Sequence, residues 1–178
     1  MINKIAVVGL GSIGRRHLRI LREIRPEIKI VAVRSGKNKK IPEENIANEV
    51  VYNLNDAIKS DIQAAIISTP ASYHLDQATD LINAGINLLI EKPLSNSIDD
   101  CEQLSILQKK NNVICLIGYC LRYDPSLIKF KEMLNEKKIG KKLQINIDCG
   151  SFLPNWRPNQ DYLETVSAKK NLGGGVLL

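Results

Sequence analysis

The sequence predicts an α/β protein built on a doubly wound parallel sheet, and three observations support this fold class. Short apolar runs alternate with segments of helical periodicity, as expected when each strand is followed by a helix that covers the sheet. The first run leads directly into a G-x-G-x-x-G motif and then into a helix. Hydrophobic residues make up 44% and charged residues 25% of the 178 residues, which is ordinary for a globular protein.

The glycine motif lies between a predicted strand at residues 5–8 and a predicted helix at residues 15–25. Gly9 permits a tight turn, Gly11 lets the backbone approach a pyrophosphate, and Gly14 lets helix and strand pack closely. The helix N-terminus adds free N–H groups and a positive dipole end. We therefore expect a Rossmann-type cofactor turn, whose candidate binding residues are Gly9, Gly11, Ser12, Ile13 and Gly14.

Five further apolar runs predict strands, at residues 28–33, 49–52, 62–68, 86–90 and 113–117. Helical spacing predicts helices at residues 56–59, 73–84 and 97–110, the last opening on a capping box with Ile98 on its inner face. Ligands of doubly wound sheets bind outside the carboxyl ends of the strands. Five residues are expected at those ends, namely Gly9, Arg34, Thr69, Glu91 and Gly118.

The alternation changes after Gly118. An amphipathic helix is predicted at residues 125–135, an alternating strand at 143–149 and a loop at 151–159. We therefore expect a Rossmann domain at residues 1–120 and the start of an incomplete α+β domain at residues 121–178. The second segment is short for an independent core.

Composition argues against several other classes of protein. No apolar segment approaches the length that spans a bilayer, and no signal peptide is expected. The four cysteines show neither C-x-x-C spacing nor clustered histidines, which predicts reduced thiols in a cytoplasmic protein and no metal site. The net charge of +6 could suggest nucleic acid, but the basic residues are scattered and aromatics are only 4%, so solvated faces are the favoured interpretation.

Five motifs occur in the order typical of the Gfo/Idh/MocA oxidoreductases, and the chain resembles this family along its whole length. They are the glycine turn extended to His17, Thr69-Pro70 with His74, Glu91-Lys92-Pro93-Leu94, Gly118 with Arg122-Tyr123, and Gly173-Gly174-Gly175. The resemblance implies a Rossmann domain followed by a domain whose open sheet forms homo-oligomers. It also implies hydride transfer between a nicotinamide cofactor and a hydroxyl carbon of a sugar, cyclitol or nucleotide-linked sugar.

The resemblance assigns roles to particular residues. Lys92 would hydrogen-bond the reacting hydroxyl, and burial could bring its pKa towards the working pH. Pro93 would follow a cis peptide bond, whereas His17 is expected to pack against the sheet. On the cofactor side the resemblance places Thr69, Pro70, His74, Glu91, Lys92 and Arg122. On the substrate side it places Tyr123, Trp156 and Arg157.

One departure from the pattern concerns the choice of cofactor. An acidic residue about 20 positions after the last glycine would hold the ribose diol of NAD. Arg34 stands there instead, with Ser35 and Lys37 close behind. Since an arginine can grip a 2′-phosphate with paired donors, these residues favour NADP, with NAD or dual use as the alternative.

A second departure concerns the catalytic set. The family places an Asp and a His after the Gly-Gly-Gly stretch, whereas this sequence stops at Leu178. The leading interpretation is a fragment, or a natural truncation, of an NAD(P)-dependent sugar-type oxidoreductase, and the alternative is a non-catalytic dinucleotide-binding sensor or partner subunit. We expect the 178 residues alone to bind dinucleotide, to turn over sugars poorly and to self-associate.

Overall fold

The computed structural model describes residues 2–36, 40–156 and 161–175. Its core is a six-stranded parallel sheet in the order β3-β2-β1-β4-β5-β6. The strands are β1 (Lys4–Val8), β2 (Lys29–Val33), β3 (Glu49–Val51), β4 (Ala64–Ile67), β5 (Asn87–Ile90) and β6 (Cys115–Ile117). The predicted doubly wound parallel sheet is confirmed.

The helices follow the strands along the chain. They are α1 (Ser12–Ile24), α2 (Leu54–Lys59), α3 (His74–Asn83), α4 (Cys101–Lys110), α5 (Pro125–Asn135) and α6 (Leu153–Trp156). Two of them have side-chain N-caps. The Asn53 side chain accepts a hydrogen bond from the Asp56 backbone N–H at α2, and the Asp124 side chain accepts hydrogen bonds from two backbone N–H groups at α5. A short 3₁₀ segment, Pro42–Ile46, lies between β2 and β3.

Alternate residues of the strands point to opposite faces of the sheet, and both faces are covered. Val7, Ile30 and Ile66 pack with Leu18 of α1 on one face. The other face carries the larger cluster, in which strand residues pack with α3 and α4 through Ala78, Leu81, Ile82 and Leu104. Near-continuous apolar strands are typical of a sheet buried on both sides, so the fold explains why these segments lack polar alternation.

The last residues of the strands are in register. Val8 pairs with Val33 and with Ile67, Ile67 pairs with Ile90, and Ile90 pairs with Ile117. The residue that follows each strand therefore lies at one edge of the sheet; after β1, β2, β4, β5 and β6 these residues are Gly9, Arg34, Ser68, Glu91 and Gly118. This edge is where the sequence predicts the ligand site.

The loop predicted at residues 151–159 contains the short helix α6 (Leu153–Trp156), and two further local predictions are wrong. Residues 143–149 form no strand, and Leu143 and Ile147 are 88% and 85% exposed. A strand needs a partner for its backbone groups, and none pairs with this segment in the described part of the chain. The helix predicted from residue 97 begins only at Cys101, and Ile98, expected on its inner face, is 88% exposed. The Ser97 hydroxyl accepts a hydrogen bond from the Asp99 N–H, and this local turn competes with the start of the helix.

Within the described residues, no helix has both the length and the apolar character needed to cross a membrane.

Candidate active site

The glycine turn after β1 has the geometry that its sequence predicts. Gly9 has a φ of +90° and donates its N–H to the Val33 carbonyl at 2.9 Å. A Cβ on Gly14 would lie 1.9 Å from the Gly9 carbonyl oxygen, so helix α1 approaches the turn as closely as only glycine allows. A Cβ on Gly11 would meet no atom within 4 Å. Open space therefore lies beside Gly11 itself.

The first turn of α1 suits an anion. Gly11 is the N-cap residue and offers no side chain to the free backbone N–H groups, and no acidic residue occupies the first turn. Ser12 is exposed and Ile13 is half-buried. Unsatisfied N–H groups and the helix dipole together favour a phosphate at this position. The residues present thus fit the pyrophosphate of a dinucleotide.

Ser68, the residue that follows β4, is hydrogen-bonded to the backbone of the glycine turn. Its hydroxyl lies 2.9 Å from the Val8 carbonyl oxygen and 2.7 Å from that of Gly9, and the residue is 6% exposed. Sequence analysis predicts Thr69 and Pro70 as site residues but does not identify Ser68. A small polar residue between an apolar strand and a T-P pair is the signal that could have indicated it.

His74, the first residue of α3, links two of the candidate loops. Its Nε2 lies 2.8 Å from the Thr69 carbonyl oxygen, and its Nδ1 lies 2.9 Å from that of Pro93. The residue is 1% exposed, so both ring nitrogens are engaged with backbone and neither faces a ligand. The structure therefore assigns His74 a positioning contact between the T-P loop and the loop after β5, whereas the sequence predicts a cofactor contact.

The loop after β5 carries Glu91, Lys92 and Pro93, and the Lys92–Pro93 peptide bond is cis, as expected. Glu91 accepts a hydrogen bond from His17 Nε2 at 2.8 Å, and this bond is the main reason that the pKa of Glu91 lies below its ordinary value. The expected packing of His17 against the sheet is thus replaced by a polar contact to the loop. Gly118 lies against the Glu91 side chain, where an added Cβ would be 3.4 Å from Cδ.

Lys92 is exposed, and its ammonium forms no hydrogen bond or ion pair with another described residue. The burial that the sequence analysis considers for Lys92 is therefore not seen in this structure. A solvated ammonium at the sheet edge can still donate to an oxygen placed beside it.

Arg34, at the end of β2, forms an ion pair with Glu44 of the 3₁₀ segment. Their side chains are only 10% and 4% exposed. Glu44 also accepts the Ile41 backbone N–H at 2.9 Å, which fixes its carboxylate. Sequence spacing finds no acid near Arg34, but the chain folds back and supplies one. Ser35 is exposed beside this pair, and Lys37 lies outside the described residues.

The remaining predicted residues are less closely connected to the sheet edge. Arg122 and Tyr123 belong to an exposed 3₁₀ turn that follows Gly118 by a few residues. Trp156 ends the short helix α6, and Arg157 lies outside the described residues. By contrast, an added Cβ on Gly173 would lie 2.8 Å from that of Ala71, so the glycine stretch packs beside the T-P loop.

No group of three His, Cys, Asp or Glu side chains that could hold a metal ion occurs among the described residues. The chemistry available at the edge is an anion-binding helix terminus, an exposed ammonium on Lys92 and two hydrogen-bonded loops. Such a set can bind a dinucleotide and hold a proton donor beside it.

The fold and the edge together define a dinucleotide-binding α/β protein. Residues 3–119 match the model of the GFO_IDH_MocA family, described as an oxidoreductase family with an NAD-binding Rossmann fold. The chain belongs to this family of oxidoreductases.

Individual relatives of the chain include a hydratase and a dehydrogenase. The chain is 26% identical over 170 residues to the 2,7-anhydro-N-acetylneuraminate hydratase of Mediterraneibacter gnavus, covering 95% of this chain and 44% of that protein. It is 32% identical over 149 residues to the scyllo-inositol 2-dehydrogenase (NAD(+)) of Bacillus subtilis, covering 79% and 42% respectively.

A similar solved structure is the scyllo-inositol dehydrogenase of Lactobacillus casei with bound NAD(H) and scyllo-inositol. The TM-score is 0.70 at 26% identity, over 79% of this chain and 43% of that one. The chain thus spans less than half the length of these relatives.

Proposed function

We propose that this chain is the cofactor-binding part of an oxidoreductase that moves a hydride between a nicotinamide dinucleotide and a hydroxyl or keto carbon of a sugar, cyclitol or nucleotide-linked sugar. One observation carries the proposal: the glycine turn, with open space beside Gly11, shares its sheet edge with exposed Lys92. The family and the inositol dehydrogenases among its relatives support this class of reaction. A bound nicotinamide cofactor would accept or supply the hydride.

The chain's own residues would bind the cofactor and orient the substrate beside it. Backbone N–H groups at the start of α1 would hold the pyrophosphate, and Thr69 with Pro70 would border the nicotinamide ring. Lys92 would donate a hydrogen bond to the substrate oxygen and take part in moving its proton, since charge develops on that oxygen as the hydride leaves. His74 would keep the Thr69 and Lys92 loops at a fixed separation. Arg122, Tyr123, Trp156 and Arg157 remain proposals as cofactor or substrate contacts.

The finer choice of cofactor is also a proposal. Arg34 and Ser35 after β2, with Lys37 further on, favour NADP(H) on charge alone. The buried pairing of Arg34 with Glu44 opposes that preference. Residues 1–120 are proposed as the Rossmann domain, and residues 121–178 as the beginning of a domain through which the whole protein forms homo-oligomers.

Binding and turnover test the proposal separately. Titration of the chain with NADH and with NADPH, followed by cofactor fluorescence, should give saturable binding of at least one. The whole protein should then produce or consume reduced cofactor with a cyclitol such as scyllo-inositol or with a nucleotide-linked sugar. Absence of binding to both cofactors would overturn the proposal, and binding without turnover of any sugar would favour the sensor or partner-subunit alternative.

A further inference from the structure

Glu44 is a buried carboxylate that spacing in the sequence does not connect to the cofactor turn. It lies in the 3₁₀ segment Pro42–Ile46 and is 5% exposed. Its carboxylate accepts the Ile41 N–H at 2.9 Å and pairs with the Arg34 guanidinium. A charged group this deeply buried is stable only when paired, so the two side chains hold each other in place.

The pair lies next to the glycine turn. Arg34 directly follows Val33, and the Val33 carbonyl accepts the Gly9 N–H at 2.9 Å. In a doubly wound sheet, the ribose of the adenosine lies at the end of this second strand. A 2′-substituent of that ribose would therefore meet Arg34 together with Glu44, the carboxylate that pairs with it.

A 2′-phosphate would have to compete with Glu44 for the guanidinium. It would also bring a second anion close to a buried carboxylate, where solvent screens the repulsion poorly. A free 2′-hydroxyl does neither. We infer that Glu44 determines the cofactor preference by holding Arg34: while the pair is intact, NADP(H) gains no advantage over NAD(H). This inference rests on the proposed function, and it revises the preference that the sequence alone predicts.

The test compares two adjacent acids. Glu44→Gln keeps the side-chain shape and an oxygen for the Ile41 N–H but removes the charge that holds Arg34. Glu43→Gln is the matched control, because Glu43 pairs at 2.7 Å with Arg19, whose side chain is 54% exposed. Dissociation constants for NADH and NADPH are measured by cofactor fluorescence on the 178-residue chain, and circular dichroism verifies folding.

The unmodified chain should bind NADPH no more tightly than NADH. In Glu44→Gln the ratio of the two constants should shift towards NADPH by about tenfold, the worth of one hydrogen bond to a charged group. Glu43→Gln should leave the ratio unchanged.

Two results would overturn the inference. One is an unmodified chain that binds NADPH tenfold more tightly than NADH, a measurement that needs no variant. The other is a folded Glu44→Gln chain whose ratio equals that of the unmodified chain. If the unmodified chain binds neither cofactor, the proposed function itself is wrong, and the inference falls with it.

Discussion

The imidazole of His17 and the carboxylate of Glu91 are 74 positions apart in the sequence, yet Nε2 and Oε1 lie 2.8 Å from each other. Both side chains are mostly buried, with 17% and 16% of their surface exposed. The bond joins helix α1, which follows the glycine turn, to the loop that carries Lys92. The cofactor turn and the candidate catalytic loop are thus fixed relative to one another.

The His17–Glu91 contact makes stability depend on pH. The hydrogen bond from His17 is the main cause of the lowered pKa of Glu91, so the ionised carboxylate stabilises the fold above its ordinary pKa of 4.5 and loses this contribution as pH falls below that value. Glu91→Gln should therefore be less stable than the unmodified chain at neutral pH, with the difference shrinking in acid. Thermal unfolding across the pH range measures it. Glu102→Gln on the surface of α4 is the control, and a gap that stays constant would count against the assignment.

Two glycines of the turn should respond differently to an added side chain. Gly11→Val should weaken NADH binding by at least about tenfold and leave stability nearly unchanged, because the new side chain enters open space that the pyrophosphate would occupy. Gly14→Ala should instead destabilise the fold by about 2 kcal/mol or more, because its Cβ would collide with the Gly9 carbonyl. Cofactor titration and urea unfolding distinguish the two effects. If Gly11→Val binds normally, the motif is only a turn.

Lys92 should matter for turnover more than for affinity. In the whole protein, Lys92→Ala should lower kcat by about a hundredfold or more while the dissociation constant of the cofactor changes little, because the ammonium acts on the reacting oxygen. Lys110→Ala, at the end of α4, serves as the control. A loss confined to cofactor affinity would show that Lys92 is a binding residue and has no part in proton transfer.

His74 should contribute to stability by donating a ring N–H to a backbone carbonyl group of the adjoining loops. His74→Phe keeps an aromatic ring but removes the N–H donor, so a buried carbonyl group of Thr69 or Pro93 is left without its hydrogen bond, and we expect a loss of about 2 kcal/mol in the free energy of unfolding. Tyr73→Phe, at the exposed neighbouring position, should cost almost nothing. Equal stabilities of the two variants would mean that these contacts contribute little.

The strands and the glycine turn could be predicted because their causes are local. Apolar runs bounded by turn residues specify buried strands, and the spacing of Gly9, Gly11 and Gly14 follows from contacts within a single strand–turn–helix unit. Alignment of the strand ends also follows from the fold class, since parallel strands of one sheet share an edge.

The contacts around the site could not be predicted, because they depend on how distant segments meet. Glu44 reaches Arg34 only because a 3₁₀ turn directs the chain back over the end of β2. The prediction of a strand at residues 143–149 was wrong because it assumed a contact with another segment. The alternation of polar and apolar residues is present there, but a strand forms only beside another strand. Periodicity describes a segment's own faces and carries no information about its neighbours.

The position of β1 in the sheet has a consequence for how the domain is made. It is the first of the six strands in the described part of the chain and lies between β2 and β4, near the centre of the sheet. On one side, β2 and then β3 add outward from it; on the other, β4, β5 and β6 follow in the order of synthesis. Each strand after β1 therefore leaves the ribosome when a neighbouring strand has already been synthesised. The sheet can grow during translation and be complete once Ile117 has emerged, without waiting for any later residue.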